Sequence, residues 1–205
     1  MKYYLLSCTT DKEIGSAYPQ GVCTDKENKV IRFDVKHSIM TDMISAVNVD
    51  DNDEIILSDR AISLLKEFFN EHVIIKPIIF TNIIASYYSV FFTKGIEDCI
   101  DFPKSEFGIY SGRDKIASLN VNSYSDYIRI RRLVFMGEYE GYSFGSIVHC
   151  SIICFKYDPS VSISSVETQF PLYKYHGLMI NESFKDTILK NKLTGFRFDE
   201  FDYVI

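Results

Sequence analysis

The residues with the greatest chemical potential in this chain are His149, Cys150 and Cys154, because imidazole and thiolate groups bind zinc and act together as base and nucleophile. The surrounding residues, 147–157, are mostly β-branched or aromatic, which predicts a strand. In a strand the two cysteines share a face but lie about 13 Å apart at ~3.3 Å per residue, and His149 points to the opposite face. We therefore expect structural burial here, with no metal ligand and no catalytic residue.

The other reactive residue types show no spacing typical of a cofactor or metal site. His37, His72 and His176 are isolated, and no zinc, P-loop, dinucleotide or nucleophile-elbow pattern occurs. The acidic run at 50–54 lacks the central glycine and the distal glutamate of a calcium loop. No cofactor and no metal are predicted, and a Cys–His pair that meets only in the folded chain is the alternative.

A basic cluster, Arg129, Arg131 and Arg132, lies in a segment that alternates isoleucine with arginine. Alternation over 127–134 predicts a strand in which Arg129 and Arg131 share one face. Two guanidinium groups on one face suit a phosphate or a carboxylate, and they equally suit a solvated or cross-strand paired surface. The cluster is therefore either a ligand contact or an ordinary exposed face.

The composition is that of an acidic globular protein. With 205 residues and 46% hydrophobic content, the chain suits a single domain over 1–205, with two sub-lobes near 1–95 and 96–205. The net charge of −6 counts against nucleic acid and favours a basic partner. Five cysteines without a disulfide-type spacing indicate reduced thiols and a cytoplasmic location, and no apolar stretch is long enough to span a membrane.

A unit that occurs twice organises the chain. Residues 54–75 and 177–198 both contain an apolar triplet, a capping residue, an acidic residue, a helical pattern and an extended stretch. The copies align at a constant offset of 123 residues, which places Ser58 on Asn181 as the N-cap of each helix. Neither copy contains a reactive cluster, so the repeat describes a scaffold.

The apolar periodicity predicts helices at 59–71 and 182–192, with Gly195 as the left-handed stop of the second helix. Residues 36–49 are ambiguous, because their apolar spacing is helical but their cap is poor. Segments with the pattern of strands are 1–6, 30–35, 87–92, 127–134, 147–157 and 196–201. The sequence therefore predicts an α+β fold, with an extensive and largely antiparallel sheet and a few short helices.

Two short motifs stand out by their order along the chain. One is D-C-I-D at 98–101 followed by K-S-E-F at 104–107, and the other is L-T-G-F at 193–196 after the helix capped by Asn181. With the opening strand and the repeated unit, they resemble a family of bacterial immunity proteins found beside polymorphic toxins. Asn181 stands where the family usually has serine, and residues 137–175 match no part of the family pattern.

This resemblance implies a small cytoplasmic protein that binds and neutralises a cognate toxin domain by stoichiometric blocking, and that is not an enzyme. It identifies neither the toxin nor the oligomeric state. For the docking surface we predict the densest acidic run, Asp50, Asp51, Asp53 and Glu54, on a loop that faces a basic toxin. The alternatives are a hydrolase or transferase whose site assembles only in three dimensions, and a small-ligand or phosphate-sensing module that uses the arginines of 129–132.

Overall fold

The computed structural model describes residues 1–9, 16–24, 29–35, 40–46, 54–80, 84–142, 144–166, 177–200 and 202–205. The strands in these ranges are β1 (Tyr3–Cys8), β2 (Ser16–Thr24), β3 (Lys29–Val35), β4 (Met43–Ala46), β5 (Glu54–Ser58), β6 (Val73–Phe80), β7 (Tyr87–Phe92), β8 (Glu106–Ser111), β9 (Asp114–Leu119), β10 (Ile147–Cys154), β11 (Ile163–Val166), β12 (Gly177–Asn181), β13 (Phe196–Asp199) and β14 (Asp202–Val204). The helices are α1 (Asp59–Leu65), α2 (Tyr124–Met136) and α3 (Glu182–Lys190), with short 3-10 turns at Lys66–Phe68, Glu97–Cys99 and Phe102–Lys104.

Within these ranges, nine of the twelve strand pairings are antiparallel, so the predicted α+β class with short helices is confirmed. Six strands close a barrel in the order β2-β3-β6-β7-β5-β4. Two four-stranded sheets have the orders β11-β12-β1-β13 and β14-β10-β8-β9. No helix in the described part of the chain combines the length and the apolar character needed to cross a membrane.

Most of the predicted strands are present. The segments predicted at 1–6, 30–35, 87–92, 147–157 and 196–201 correspond to β1, β3, β7, β10 and β13, with ends that differ by a few residues. In the ambiguous segment 36–49, β4 forms at Met43–Ala46, and residues 36–39 and 47–49 lie outside the described ranges.

The two predicted strand–helix–strand units are present as β5-α1-β6 and β12-α3-β13. Both helices begin at the predicted cap. The Ser58 Oγ accepts a hydrogen bond from the backbone N–H of Ala61 at 3.1 Å, and the Asn181 Oδ1 accepts one from Phe184 at 2.9 Å. An oxygen at this position satisfies an N–H that has no partner inside the helix, which is why each helix starts there.

Each unit holds a third strand between its own two strands. β7 lies antiparallel between β5 and β6, with Ser58 opposite Tyr87. β1 lies antiparallel between β12 and β13, with Asn181 opposite Tyr3. The register is the same in both sheets: each pair of the second copy follows from a pair of the first when 123 is added to the number of the residue in β5 or β6 and 84 is subtracted from the number of the residue in β7. The second copy therefore takes its central strand from residues that precede the first copy in sequence.

The correspondence extends to the outer strands. β4 pairs with β5, and β11 with β12, in the same antiparallel register. The parallel pair Ser16–Ser45 of the first copy corresponds to the bridge Gly95–Ser165 of the second. β3 pairs in parallel with β6 as β10 does with β14, and β2 pairs with β3 as β8 does with β10. The barrel thus has a strand-by-strand counterpart, in which β13 and β14 together take the place of β6.

The two copies share a hydrophobic core, and α1 contacts α3 across it. Seven pairs of buried residues at equivalent positions contribute to this core: Leu6 and Val90, Cys8 and Phe92, Met43 and Ile163, Ile55 and Leu178, Leu57 and Ile180, Ala61 and Phe184, Leu65 and Ile188. Removing apolar surface from water, at about 25 cal/mol per Å², is the main favourable term in folding. The duplication therefore supplies both halves of the core that holds the copies together.

One part of the second copy has no counterpart in the first among the described residues. β2 and β3 are joined by residues 25–28, whereas β8 and β10 are separated by residues 112–146, which include β9 and α2. We call residues 112–146 the inserted segment. Its helix packs against β10 and contributes to a second hydrophobic core, apart from the one that the two copies share.

The predicted strand at 127–134 is wrong, because these residues form the centre of α2. The Ser123 hydroxyl caps the helix by accepting a hydrogen bond from Asp126 N–H at 3.1 Å. Tyr127, Ile130 and Val134 are buried at i, i+3 and i+7, the period of a helix. Over these few residues, the alternation of apolar and polar side chains fits a strand as well as a helix. Positions two apart on a helix are separated by about 200° around its axis, so Arg129 and Arg131 do not share a face.

The helix ends also differ from the predictions. α1 ends at Leu65 and continues as a 3-10 turn, and α3 ends at Lys190 rather than at 192. Gly195 is not the stop of α3, because Lys192, with φ of 52°, is the left-handed residue that follows the helix. Gly195 has φ of 87° and lies so close to the first copy that a Cβ would overlap the carbonyl oxygen of Met43.

A single carboxylate joins the two copies at this point. Asp42, which is 8% exposed, accepts hydrogen bonds from the Ser58 hydroxyl at 2.8 Å and from the Thr194 N–H at 2.9 Å. The Arg60 guanidinium also donates to it, at 3.2 Å. Backbone hydrogen bonds reinforce this junction. The Ser58 N–H donates to Asp42 O at 2.8 Å, and the Met43 N–H donates to Thr194 O at 3.0 Å.

Replacing Asp42 with alanine removes the buried acceptor that these partly buried hydrogen bonds share. We expect the free energy of unfolding to fall by roughly 3 kcal/mol. Urea denaturation followed by circular dichroism measures this change. As a control, Asp186→Ala removes an exposed carboxylate from α3, and a change within about 0.5 kcal/mol is expected. Equal losses of unfolding free energy in the two variants would show that the Asp42 junction stabilises the fold no more than an exposed carboxylate does.

Replacing Gly195 with alanine tests the close approach of the two copies. Gly141 is a matched control, because its φ of 84° is nearly the same and nothing lies within 4 Å of its Cβ position. Gly141→Ala should lose about 1–2 kcal/mol through the left-handed backbone alone. Gly195→Ala should lose at least about 1 kcal/mol more, because Met43 must also move. Similar unfolding midpoints for the two variants would contradict the overlap.

Candidate binding surface

The inserted segment presents large apolar side chains to solvent. Ile128, Phe135 and Met136 on α2 are between 38% and 50% exposed, and Phe144, in the following turn, is 73% exposed. The rings of Phe135 and Phe144 lie 5.6 Å apart. We call these four residues the apolar patch. Contiguous exposed apolar surface on a folded protein is typical of an interaction site.

Local sequence explains how the patch is built. Gly137, with φ of 71°, ends α2 in the left-handed conformation that glycine adopts without steric cost. The chain then folds back, and the Gly145 N–H donates to the carbonyl oxygen of Phe135 at 3.1 Å. The turn therefore holds Phe144 beside the last turn of α2, so the aromatic rings of the patch are positioned by backbone hydrogen bonds.

A half-open pocket of about 400 Å³ lies between α2 and the start of β10. Its volume is in the range of sites that bind small molecules or a partner's side chain, roughly 300–1,000 Å³. The lining residues are Ile128, Arg131, Arg132, Phe135, Ser146, Ile147 and Val148. Two guanidinium groups thus stand among apolar side chains, and none of the described lining residues is an aspartate, glutamate, cysteine or histidine.

The third arginine of the predicted basic cluster is engaged elsewhere. Arg129 donates to the Asp126 carboxylate at 2.7 Å and lies outside the pocket lining. The Arg129 guanidinium and the Asn122 N–H beside it lower the pKa of the Asp126 carboxyl. The structure therefore places Arg131 and Arg132 in the pocket lining, whereas Arg129, one helical turn before Arg132, binds Asp126 outside it.

The cysteines of β10 do not form a reactive pair. The strand is present as predicted, but a bulge between Cys150 and Ile152 shifts the alternation, so that Cys150 and Ile153 both enter the core. The predicted shared face of Cys150 and Cys154 is therefore wrong. Burial raises the pKa of the Cys150 thiol to about 12, and this thiol is protonated at neutral pH.

His149 lies beside the ring of Tyr110, at 5.3 Å between ring centroids. Burial lowers the pKa of its imidazole, so the ring is neutral at pH 7. Among the residues that the structure describes, no group of three or more histidine, cysteine, aspartate or glutamate side chains is placed to hold a metal ion.

The predicted acidic docking surface falls mostly outside the described residues. Asp50, Asp51 and Asp53 are not among them, and Glu54 is the first residue of β5, opposite Phe91. This surface stays a prediction. The apolar patch was missed because residues 127–134, which include Ile128, have the alternation of a strand, and no prediction covers Phe135, Met136 and Phe144. The Ser123 cap and the helical spacing of Tyr127, Ile130 and Val134 carried the signal of a helix.

No family model matches this chain, and the comparison with curated proteins gave no match. The residues that carry the resemblance to immunity proteins have structural roles. The Ser105 hydroxyl donates to Asp101 O at 2.8 Å and accepts from Cys154 N–H at 2.9 Å. Thr194 binds Asp42, and Gly195 permits the close approach of the two copies. The motifs therefore describe the scaffold, and the exposed surface must be judged on its own chemistry.

Thiol labelling tests the burial of the cysteines. At pH 7 we expect iodoacetamide to alkylate the half-exposed Cys99 and Cys154 and to spare Cys8 and Cys150, because burial raises the pKa of both spared thiols to about 12. Peptide mass spectrometry measures the modification at each site, with the urea-unfolded chain as the control in which all five cysteines of the sequence react. Rapid labelling of native Cys150 would revive the thiol-nucleophile alternative.

Proposed function

We propose that this protein is an immunity protein that binds a cognate bacterial toxin domain and neutralises it by stoichiometric blocking. The observation that carries the proposal is the apolar patch with its two arginines, built on the inserted segment. The motif resemblance supports it, since the family it points to acts by binding. The proposal places the protein in the cytoplasm, where its cysteines stay reduced.

The composition of the patch suits a protein partner. Aromatic residues, methionine and arginine are enriched in protein interfaces, and a few such residues contribute most of the binding energy. Phe135 and Phe144 offer rigid rings, Met136 offers an adaptable side chain, and Arg131 and Arg132 offer directed hydrogen bonds. Covering this surface removes apolar area from water, which stabilises the complex.

The duplication supports a separation between scaffold and binding surface. The residues shared by the two copies supply caps, strand register and a common core. The inserted segment, which belongs to the second copy, adds exposed apolar groups and a pocket. A pocket lined by arginines and apolar groups suits recognition, whereas general acid or base chemistry relies on a carboxylate or an imidazole with a pKa near the working pH.

Co-expression with the toxin domain encoded by the neighbouring gene tests the function. We expect growth to be rescued and the two proteins to co-purify as a complex of fixed stoichiometry in size-exclusion chromatography. Rescue without a stable complex would contradict blocking and would favour the enzymatic alternative. Failure of both rescue and complex formation would overturn the proposal for that toxin domain.

A surface substitution separates the patch from the rest of the molecule. Phe144→Ser should weaken toxin binding at least tenfold, about 1.4 kcal/mol, because it removes an exposed aromatic ring while leaving the core intact. Ile84→Ser is the matched control, since Ile84 is a fully exposed apolar residue outside the patch, and it should leave the affinity unchanged. Isothermal titration calorimetry gives both affinities, and thermal melting verifies folding. Equal affinities would remove the patch from the interface.

A further inference from the structure

The pocket between α2 and β10 has an ordered arrangement of chemistry along its wall. Ile128, Arg132 and Phe135 follow each other at i, i+4 and i+7, and Arg131 lies beside Arg132. Residues at this spacing occupy one side of a helix. The guanidinium groups therefore originate from the middle of the wall, with an apolar side chain one turn away on each side.

The opposite wall is mainly apolar. It consists of Ile147 and Val148, the first two residues of β10, and of Ser146, which is buried. A group that enters between the two walls loses its contact with water on both of its sides. Loss of hydration favours an apolar group. Arginine binds a carboxylate with two parallel hydrogen bonds, which favours an anionic group next to the apolar one.

The apolar surface does not stop at the rim of the pocket. It continues through Phe135 to the ring of Phe144, and Met136, the next residue of α2, is also exposed; neither Phe144 nor Met136 lines the pocket. An occupant that covers this whole surface is larger than the pocket itself. A protein segment meets this requirement, because one side chain can fill the pocket while its neighbours cover the rim.

We infer that the pocket is the anchor site for an acidic and apolar segment of the partner protein: an apolar side chain enters between α2 and β10, and an adjacent carboxylate binds Arg131 and Arg132. The identity of the partner as a toxin domain rests on the proposed function. The chemistry of the pocket does not, and it is tested without the partner.

The first experiment uses decanoate as a probe of the free full-length protein, observed by methyl NMR. We expect decanoate to shift the signals of Ile128, Ile147 and Val148, and decyltrimethylammonium, which has the same chain and the opposite charge, to bind at least tenfold more weakly. The double variant Arg131→Gln/Arg132→Gln should lose decanoate binding. The matched control Arg129→Gln should retain it, because Arg129 binds Asp126 instead.

The second experiment measures the complex with the toxin domain of the neighbouring gene. The double variant should weaken binding at least tenfold and reduce its dependence on salt, since two interfacial charges are gone. Arg129→Gln should behave like the original protein. Decanoate should compete with the toxin domain, and thermal melting should show that all variants are folded.

The outcomes separate the two proposals. Absence of decanoate binding, or equal binding of both probes, would overturn the chemistry assigned to the pocket. Decanoate binding without competition, together with an unchanged affinity of the double variant, would overturn the protein occupant and leave the proposed function standing. Decanoate binding to a protein that neither binds nor neutralises the toxin domain would overturn the proposed function instead.

Discussion

The rest of the fold depends on the Asp42 carboxylate. It binds the Ser58 hydroxyl, which caps α1, and the backbone of Thr194, which leads into β13. One buried acceptor therefore fixes the start of a helix in one copy against the strand entry of the other. Because the acceptor is buried, its carboxylate would be costly to leave without these donors. The next residue, Met43, enters the core that both copies share, so the polar junction and the hydrophobic core are held in register by adjacent residues.

Duplication explains the shared core, and the segment inserted into the second copy explains why the surfaces of the two copies differ. Equivalent strands and helices of the two copies supply apolar faces that pack against each other in the shared core. The remaining strands of each copy complete its barrel or its sheets. The strands of the first copy form a closed barrel. In the second copy, the connection between the paired strands β8 and β10 is longer and contains β9 and α2. The helix of this insertion buries one side against β10 and exposes the other. An exposed apolar side on a well-packed scaffold is the physical basis for proposing a binding protein.

The motifs that resemble immunity proteins are explained by folding. Ser105 connects the turn before β8 to the end of β10, Leu193 is buried, and Thr194 and Gly195 form the junction between the copies. Residues with such roles stabilise the architecture, whereas the proposed binding surface lies on residues that the architecture leaves exposed. The proposed contact with a partner therefore falls on α2 and its following turn, within residues whose pattern the family resemblance covers only in part.

Signals that are local in sequence determined the caps, the helices of the repeat and most strands. Ser58 and Asn181 act within three residues of themselves, so their role is readable without the fold. The sequence was ambiguous where two periods fit the same few residues, as in α2, and there the burial of Tyr127 and Val134 decided for the helix. Pairing over long separations was decided only by the tertiary structure: β1 between β12 and β13, the bulge that turns Cys154 away from Cys150, and the Asp42 junction. These features depend on which distant surfaces meet, and local propensity contains no information about that.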